Sequence, residues 1–214
     1  MPPFTSPRSR RRPEPDDPWA VAALDRFYRL HARVYDWTRP LILRGRRRAL
    51  RSLALRPGER VIDVGCGTGW GLPRLWARGA QPIGVECSAA MRRRAGRRLA
   101  HYGLAERIPL DPEPYGSHGR YAGTADAILF SYSLSMIPPF AAALDRAEAD
   151  LREGGRIVVV DFLDAWGPAG VLLRRSHVRL GPQRLRELVR RLPSHTFVVR
   201  RAGLWRWFLF VAWR

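Results

Sequence analysis

The chain has 214 residues, 46% of them hydrophobic and 10% aromatic, which is enough for one self-sufficient core of the usual domain size, roughly 100–200 residues. Two cysteines, Cys66 and Cys87, exclude a disulfide-built scaffold and point to a reducing compartment. No signal peptide or apolar run of about 18 residues is visible, so a cytoplasmic protein is expected. Charge is the unusual feature: 38 basic residues, all arginine, stand against 19 acidic ones, a surplus of +19. That surplus favours a polyanionic neighbour, either nucleic acid or an anionic lipid surface, without choosing between them.

Residues 1–18, with six prolines and arginines at 8, 10, 11 and 12, read as a disordered tail. Residues 19–55 read as an N-terminal helical lid, interrupted where Pro40 disfavours helix geometry at Arg39. Residues 56–214 then alternate strands and helices. Arg60–Val64 is a buried strand, followed by a helix ending near Gly79 with Leu72, Leu75 and Trp76 on one face. Gln81–Glu86 is the second strand, and Ser88 caps a helix carrying Met91, Ala95 and Leu99. Arg107–Leu110 is a weak third strand and Ala125–Phe130 the fourth. A helix carrying Leu144, Ala147 and Leu151 is expected to end at Gly154-Gly155, before a fifth strand at Arg156–Phe162. Continuous apolar strands between helices predict a parallel sheet covered on both faces. A helix over Pro182–Leu192 leads to strands His195–Arg200 and Leu204–Trp213. Only three residues join these last two, too few for a parallel crossover, so they must pair antiparallel. The expected fold is therefore α/β: a Rossmann-like, mostly parallel seven-stranded sheet with an antiparallel last strand.

Asp63-Val64-Gly65-Cys66-Gly67-Thr68-Gly69 places three glycines where the first strand turns into a helix, allowing a tight turn and close approach of a ligand to the backbone. Glu86 ends the next strand, where a carboxylate can accept hydrogen bonds from both hydroxyls of a ribose. A dinucleotide fingerprint needs a small residue where Trp70 stands, and a phosphate-gripping P-loop needs a lysine, which the chain lacks. The five histidines show no metal-ligand spacing, so no metal is expected.

This segment resembles motif I of class I S-adenosylmethionine-dependent methyltransferases, and the resemblance extends over about residues 25–214. It implies an enzyme whose cofactor is S-adenosyl-L-methionine: Gly65, Cys66, Gly67 and Gly69 flank its amino acid portion, Asp63 opens the motif, and Glu86 holds the ribose. Met91 and Asp111 are implied at the adenine, and Tyr35 and Ser131 on the cofactor side. Cys66 reads as a small filler between glycines, not as a nucleophile.

The sequence after the fourth strand usually faces the substrate in this fold. Phe130-Ser131-Tyr132-Ser133 is not the Asn/Asp-Pro-Pro-aromatic clamp of base-amine methylases, which disfavours nucleic acid as acceptor. Ser131 to Pro138 is similar instead to a segment of N-methyltransferases that finish betaine-lipid (diacylglyceryl homoserine) headgroups, and more loosely of phosphatidylethanolamine N-methyltransferases. Tyr28 to Arg46, Val159 to Phe162 and Leu204 to Val211 fit the same family. The resemblance implies methylation of a headgroup amine, with Tyr132 as the catalytic-site tyrosine and Tyr28, Arg39 and Tyr132 toward the substrate. Tyr28, Tyr35 and Tyr132 would line a cage attracting the product cation, and Arg39 and Arg46 would meet the cofactor's carboxylate or a lipid phosphate. A separate aminocarboxypropyl transferase would supply a betaine-lipid precursor. Arginines at 44–51, 92–98 and 174–175 suggest peripheral association with an anionic membrane, with the 44–51 segment and the tail facing it. Two alternatives stay open: a methyltransferase acting on RNA or a small metabolite, and a catalytically inactive basic binding module.

Overall fold

The structure is a computed structural model that describes residues 42–137, 140–176 and 178–214. The expected tail, most of the expected lid, and Tyr28, Tyr35 and Arg39 lie outside the described residues. Seven strands form one sheet in the order β3-β2-β1-β4-β5-β7-β6: β1 (Arg60–Val64), β2 (Gln81–Val85), β3 (Leu110–Asp111), β4 (Ala125–Ser131), β5 (Leu151–Ala165), β6 (His195–Ala202) and β7 (Trp205–Trp213). Strands β1 to β5 pair in parallel, while β7 runs antiparallel to both its neighbours, β5 and β6. The hairpin closes with Ala202 opposite Trp205, the reversal that so short a link requires.

Among the described residues six α-helices flank the sheet: α1 (Arg46–Ser52), α2 (Leu72–Trp76), α3 (Ala89–His101), α4 (Phe140–Asp150), α5 (Gly167–Arg175) and α6 (Gln183–Arg191). Alternate residues of each strand feed two cores. Ile62, Phe130, Phe208 and Phe210 pack with Leu144 of α4 and Leu188 of α6. Val61, Leu129, Val160 and Leu209 pack on the other face with Leu50 of α1 and Leu75 of α2. Both faces of the central strands are thus buried, as their unbroken apolar runs demand.

Several element boundaries differ from expectation. Helix α2 stops at Trp76 instead of near Gly79, because Ala77 to Gly79 form a turn whose Gly79 amide returns to the Trp76 carbonyl. The third strand is Leu110–Asp111, not Arg107–Leu110; the flanking Pro109 and Pro112 leave no amides to lengthen the ladder. Helix α4 ends at Asp150, and Leu151 already pairs with Ala125, so Gly154-Gly155 sit inside an irregular opening of β5 and do not terminate the helix. Helix α5, between β5 and α6, was not expected at all. Among the described residues no helix is long and apolar enough to cross a membrane.

Candidate functional site

The parallel strands β1, β2, β4 and β5 all end at one edge of the sheet, where βα turns collect. Gly65, Gly67 and Gly69 adopt φ of 64°, 59° and 70°, the left-handed region that costs a side-chain-bearing residue roughly 1–2 kcal/mol. Space adds to the demand. A Cβ on Gly65 would lie 2.6 Å from the Ser133 Cβ, and one on Gly69 3.0 Å from the Ala95 Cβ on α3. The alternating glycines are thus needed both for backbone shape and for contact with the helix and the β4 loop.

Glu86, just past β2, fastens this turn. One carboxylate oxygen accepts the Gly67 amide and the other the Ser88 amide, each at 2.9 Å. Ser88 in turn caps α3, its hydroxyl accepting the Met91 amide at 3.4 Å, and Met91 is buried beneath. Strand β3 brings Asp111 alongside: the Glu86 amide donates to the Asp111 carbonyl at 2.9 Å. The Asp111 carboxylate is engaged by the Tyr121 hydroxyl at 2.5 Å, the Glu113 amide at 3.0 Å, and Arg120 and His118 at 3.3 Å. Burial pushes that carboxyl up, but these donors outweigh it and hold it below its ordinary value. Cys66 is buried, and burial drives its thiol pKa far up, with Asp63 and Glu86 adding to the shift. Such a thiol is a filler, not a nucleophile.

Asp63 is different. Its Oδ1 is buried without a hydrogen-bond partner among the described residues. Burial raises its pKa to about 7, Arg46 opposing and Glu86 assisting. A buried carboxylate oxygen with no partner among the described residues, beside a glycine turn, suits a cationic or hydrogen-donating group.

The second half of the site follows β4. Ser131 ends the strand, and Tyr132 turns away at φ 60°, a strained conformation for an aromatic residue. Its amide donates to the Val160 carbonyl at 2.8 Å, its ring packs 4.6 Å from that of Phe162, and its hydroxyl donates to the Arg44 carbonyl at 2.5 Å. Tyr132 is therefore a buried pillar beneath the Arg44–Gly45 turn. Gly45, at φ 82°, lets this turn lie against Trp207, since a Cβ there would come within 2.4 Å of the indole. Arg46 follows directly. Its Nε donates to the Ser131 hydroxyl at 3.2 Å, and its guanidinium lies 4.2 Å over Trp70, whose ring also meets Arg74 at 4.2 Å. Burial lowers the Arg46 pKa to about 10, with Asp63 opposing, so it stays charged at neutral pH.

Asp161 of β5 completes the frame. Fully buried, it accepts the amides of Ser135 and Phe162, each at 2.7 Å, and so holds the loop after β4. Burial raises its pKa, against the pull of Arg184 on α6. The sequence does carry a signal for this role: Asp161 is a carboxylate inside the apolar run from Ile157 to Leu163.

Beside the glycine turn opens a cleft of about 990 Å³, walled by Trp70, Trp205 and Trp207 and by arginines that include Arg47, Arg51 and Arg200. Arginines of α1 and of the β6–β7 hairpin, about 150 residues apart in the chain, thus share one cavity, a juxtaposition that no sequence spacing announces. The cluster at 92–98 has partly structural work: Arg98 donates to the Thr68 carbonyl and hydroxyl, and Arg92 to the carbonyls of Glu86 and Cys87. Among the described residues no group of three or more His, Cys, Asp or Glu side chains is placed to hold a metal.

The sequence profile of the methyltransferase-domain family matches residues 33–211. The chain is 39% identical over 137 residues to a protein-L-isoaspartate O-methyltransferase of Methylorubrum populi, covering 63% of this chain and 58% of that protein. It is 33% identical over 147 residues to a demethylmenaquinone methyltransferase of Beutenbergia cavernae, covering 64% and 57%. The chain therefore spans less than three fifths of the length of these curated relatives. Geranyl diphosphate C-methyltransferase of Streptomyces coelicolor A3(2), solved with Mg2+, geranyl diphosphate and S-adenosyl-L-homocysteine, superposes with a TM-score of 0.74 at 16% identity, over 94% of this chain and 100% of that one. At that identity the likeness speaks for the fold.

Proposed function

Since this chain belongs to the methyltransferase-domain family, we propose that it is an S-adenosylmethionine-dependent methyltransferase whose acceptor is the amine of a lipid headgroup, of the betaine-lipid or phosphatidylethanolamine kind. The residues of the glycine turn fit the cofactor. Gly65 to Gly69 offer a close backbone approach, Glu86 a ribose-binding carboxylate, and Asp63 a buried oxygen with no partner among the described residues. When bound, S-adenosylmethionine supplies an electrophilic methyl group on a sulfonium.

Asp63 makes the binding pH-dependent. Its folded-state pKa of about 7 lies above the ordinary 3.8, so its contribution to the stability of the free protein is complete below the ordinary value and is lost as pH rises through 7. A cationic ligand favours the ionised carboxylate, and linkage is reciprocal: cofactor affinity should rise about tenfold from about pH 6 to about pH 8. Calorimetry with S-adenosylmethionine tests this, and Asp63→Asn should flatten the profile. A profile unchanged by that substitution would refute the assignment.

The observation that carries the acceptor reading is the arginine- and tryptophan-walled cleft beside the cofactor turn. A headgroup amine is nucleophilic only when neutral, and a wall of guanidinium groups disfavours the ammonium form of any amine that enters. The same arginines attract the headgroup's phosphate or carboxylate, while an indole face such as that of Trp205 suits a methylated cation. Tyr132, packed on Phe162, supports the Arg44–Gly45 stretch of the cleft wall from beneath, and the amine proton leaves to solvent. On this reading a separate aminocarboxypropyl transferase supplies the betaine-lipid precursor.

The test is methylation of defined acceptors in mixed micelles, read by mass spectrometry. Phosphatidylethanolamine or the homoserine amino lipid should gain one to three methyl groups. Tyr132→Ala should cut turnover by about tenfold or more, with a much smaller change in cofactor affinity. Transfer to an isoaspartyl peptide or to demethylmenaquinone, with none to either amino lipid, would overturn the proposal.

A further inference from the structure

Seven large hydrophobic side chains are exposed among the described residues, and four of them belong to two neighbouring elements: Trp166 (38%), Val171 (53%), Leu172 (58%) and Leu204 (42%). Trp166 leads into α5, and its amide donates to the Leu204 carbonyl at 3.1 Å, joining the start of that helix to the tip of the β6–β7 hairpin. The Arg201 guanidinium lies 4.8 Å over the Trp166 ring, a second tie between them. At about 1.5 Å of rise per residue, Val171 and Leu172 stand roughly 8–9 Å along α5 from Trp166. Helix α5 buries Gly170 and Leu173 and turns Val171 and Leu172 outward.

Cations border these apolar side chains. Arg174 and Arg175 occupy the last turn of α5, and Arg200 and Arg201 the end of β6; all four are exposed, and none forms an ion pair with a carboxylate among the described residues. The nearby Asp164 is neutralised by Arg206, whose Nε donates to it at 2.9 Å. Arg200, Arg201, Gly203 and Trp205 also line the cleft, so this face runs directly into its mouth.

We infer that α5 and the β6–β7 hairpin tip form the membrane-docking face, seating on an anionic lipid surface and setting the mouth of the cleft against the headgroups. A short helix with outward aliphatics and terminal arginines, beside an exposed tryptophan, has the composition that inserts at a headgroup–acyl boundary. A second copy of the same face would bring like charges together, whereas an anionic bilayer meets both the apolar side chains and their basic border. The inference rests on the lipid-acceptor reading and moves the docking face away from residues 44–51, whose arginines line the cleft itself.

Flotation of the full chain with vesicles of phosphatidylcholine, alone or mixed with phosphatidylglycerol, tests it at low salt. Wild type should bind the mixed vesicles preferentially. Val171→Asp/Leu172→Asp should weaken binding by about tenfold or more, since two exposed aliphatics lose their burial in the interface. Arg174→Gln/Arg175→Gln should reduce the preference for the anionic vesicles by roughly tenfold or more. Both variants should keep wild-type affinity for S-adenosylmethionine, and should methylate amino lipid normally in micelles but poorly in vesicles. Wild-type flotation of both variants, or no vesicle binding by the unmodified protein, overturns the docking face. Absence of amino-lipid methylation in micelles and vesicles alike, with flotation still sensitive to these substitutions, would instead remove the acceptor reading and leave the docking face standing.

Discussion

Glu86→Ala should weaken S-adenosylmethionine binding by about 10²–10⁴-fold, the largest effect expected of any single change at the site. The Gly67 and Ser88 amides each donate to one oxygen of this carboxylate. A carboxylate at the end of β2 suits a ribose diol, and two hydrogen bonds to a charged acceptor contribute about 1.5–3 kcal/mol each. The substitution has a second cost. It leaves the Gly67 amide without its Glu86 acceptor and frees the middle of the glycine turn, whose permissive backbone then has more conformations open to it. Calorimetry with S-adenosylmethionine and with its demethylated product should show parallel losses, because the ribose is common to both. A loss of less than about tenfold, with the fold intact by circular dichroism, would remove Glu86 from the cofactor site.

The second large effect is on stability. Arg156 enters β5 buried, donates to both carboxylate oxygens of Glu59, and reaches the carbonyls of Leu53 and Ala54 just beyond α1. It thereby ties α1 to the strand layer, and α1 carries the arginines of the cleft. Arg156→Ala strands a buried carboxylate and unsatisfied carbonyls, a defect that costs about 3–5 kcal/mol and should lower the melting temperature by about 10 °C or more. The sign of its pH dependence follows from Glu59. Burial pushes that carboxyl up, but hydrogen bonds from Arg156 and the Arg56 amide hold it below its ordinary 4.5. Its contribution is therefore present above the ordinary value and fades as pH falls through the lowered one. The gap in stability between wild type and variant should be widest near neutrality and narrow in acid. A gap that does not change with pH would show that lost packing, not the ion pair, is responsible.

What the sequence made legible was what lies close together along it. The glycine turn, Glu86 one strand later, and the reversed final hairpin are each set by a few adjacent residues. The core strands declare themselves because a strand buried on both faces must be apolar throughout. Legibility failed where tertiary pairing outranked local chemistry. Gly154-Gly155 look like a helix stop, yet Leu151 pairs with Ala125 and draws the chain into β5 before the glycines are reached. Helix α5 shows almost no inward stripe to read, because Val171 and Leu172 face outward. In the site, the positions of Asp63 and Glu86 follow from the motif, but the role of Tyr132 beneath the Arg44 turn needed the contact between α1's approach and β4. The cleft needed more still, since Arg47 and Arg200 meet only after the last hairpin docks beside β5.

That every cation around the cleft is a guanidinium has a consequence for the chemistry next to it. A lysine beside an alkylating sulfonium would be a competing nucleophile, because burial strips its proton readily and exposes a primary amine. Arginine delivers the same field without an available lone pair, and even Arg46, whose pKa burial lowers to about 10, remains protonated at neutral pH. On the proposed reading, no lysine side chain of this protein competes for the methyl group, and the amine that reacts is the one that a substrate brings in.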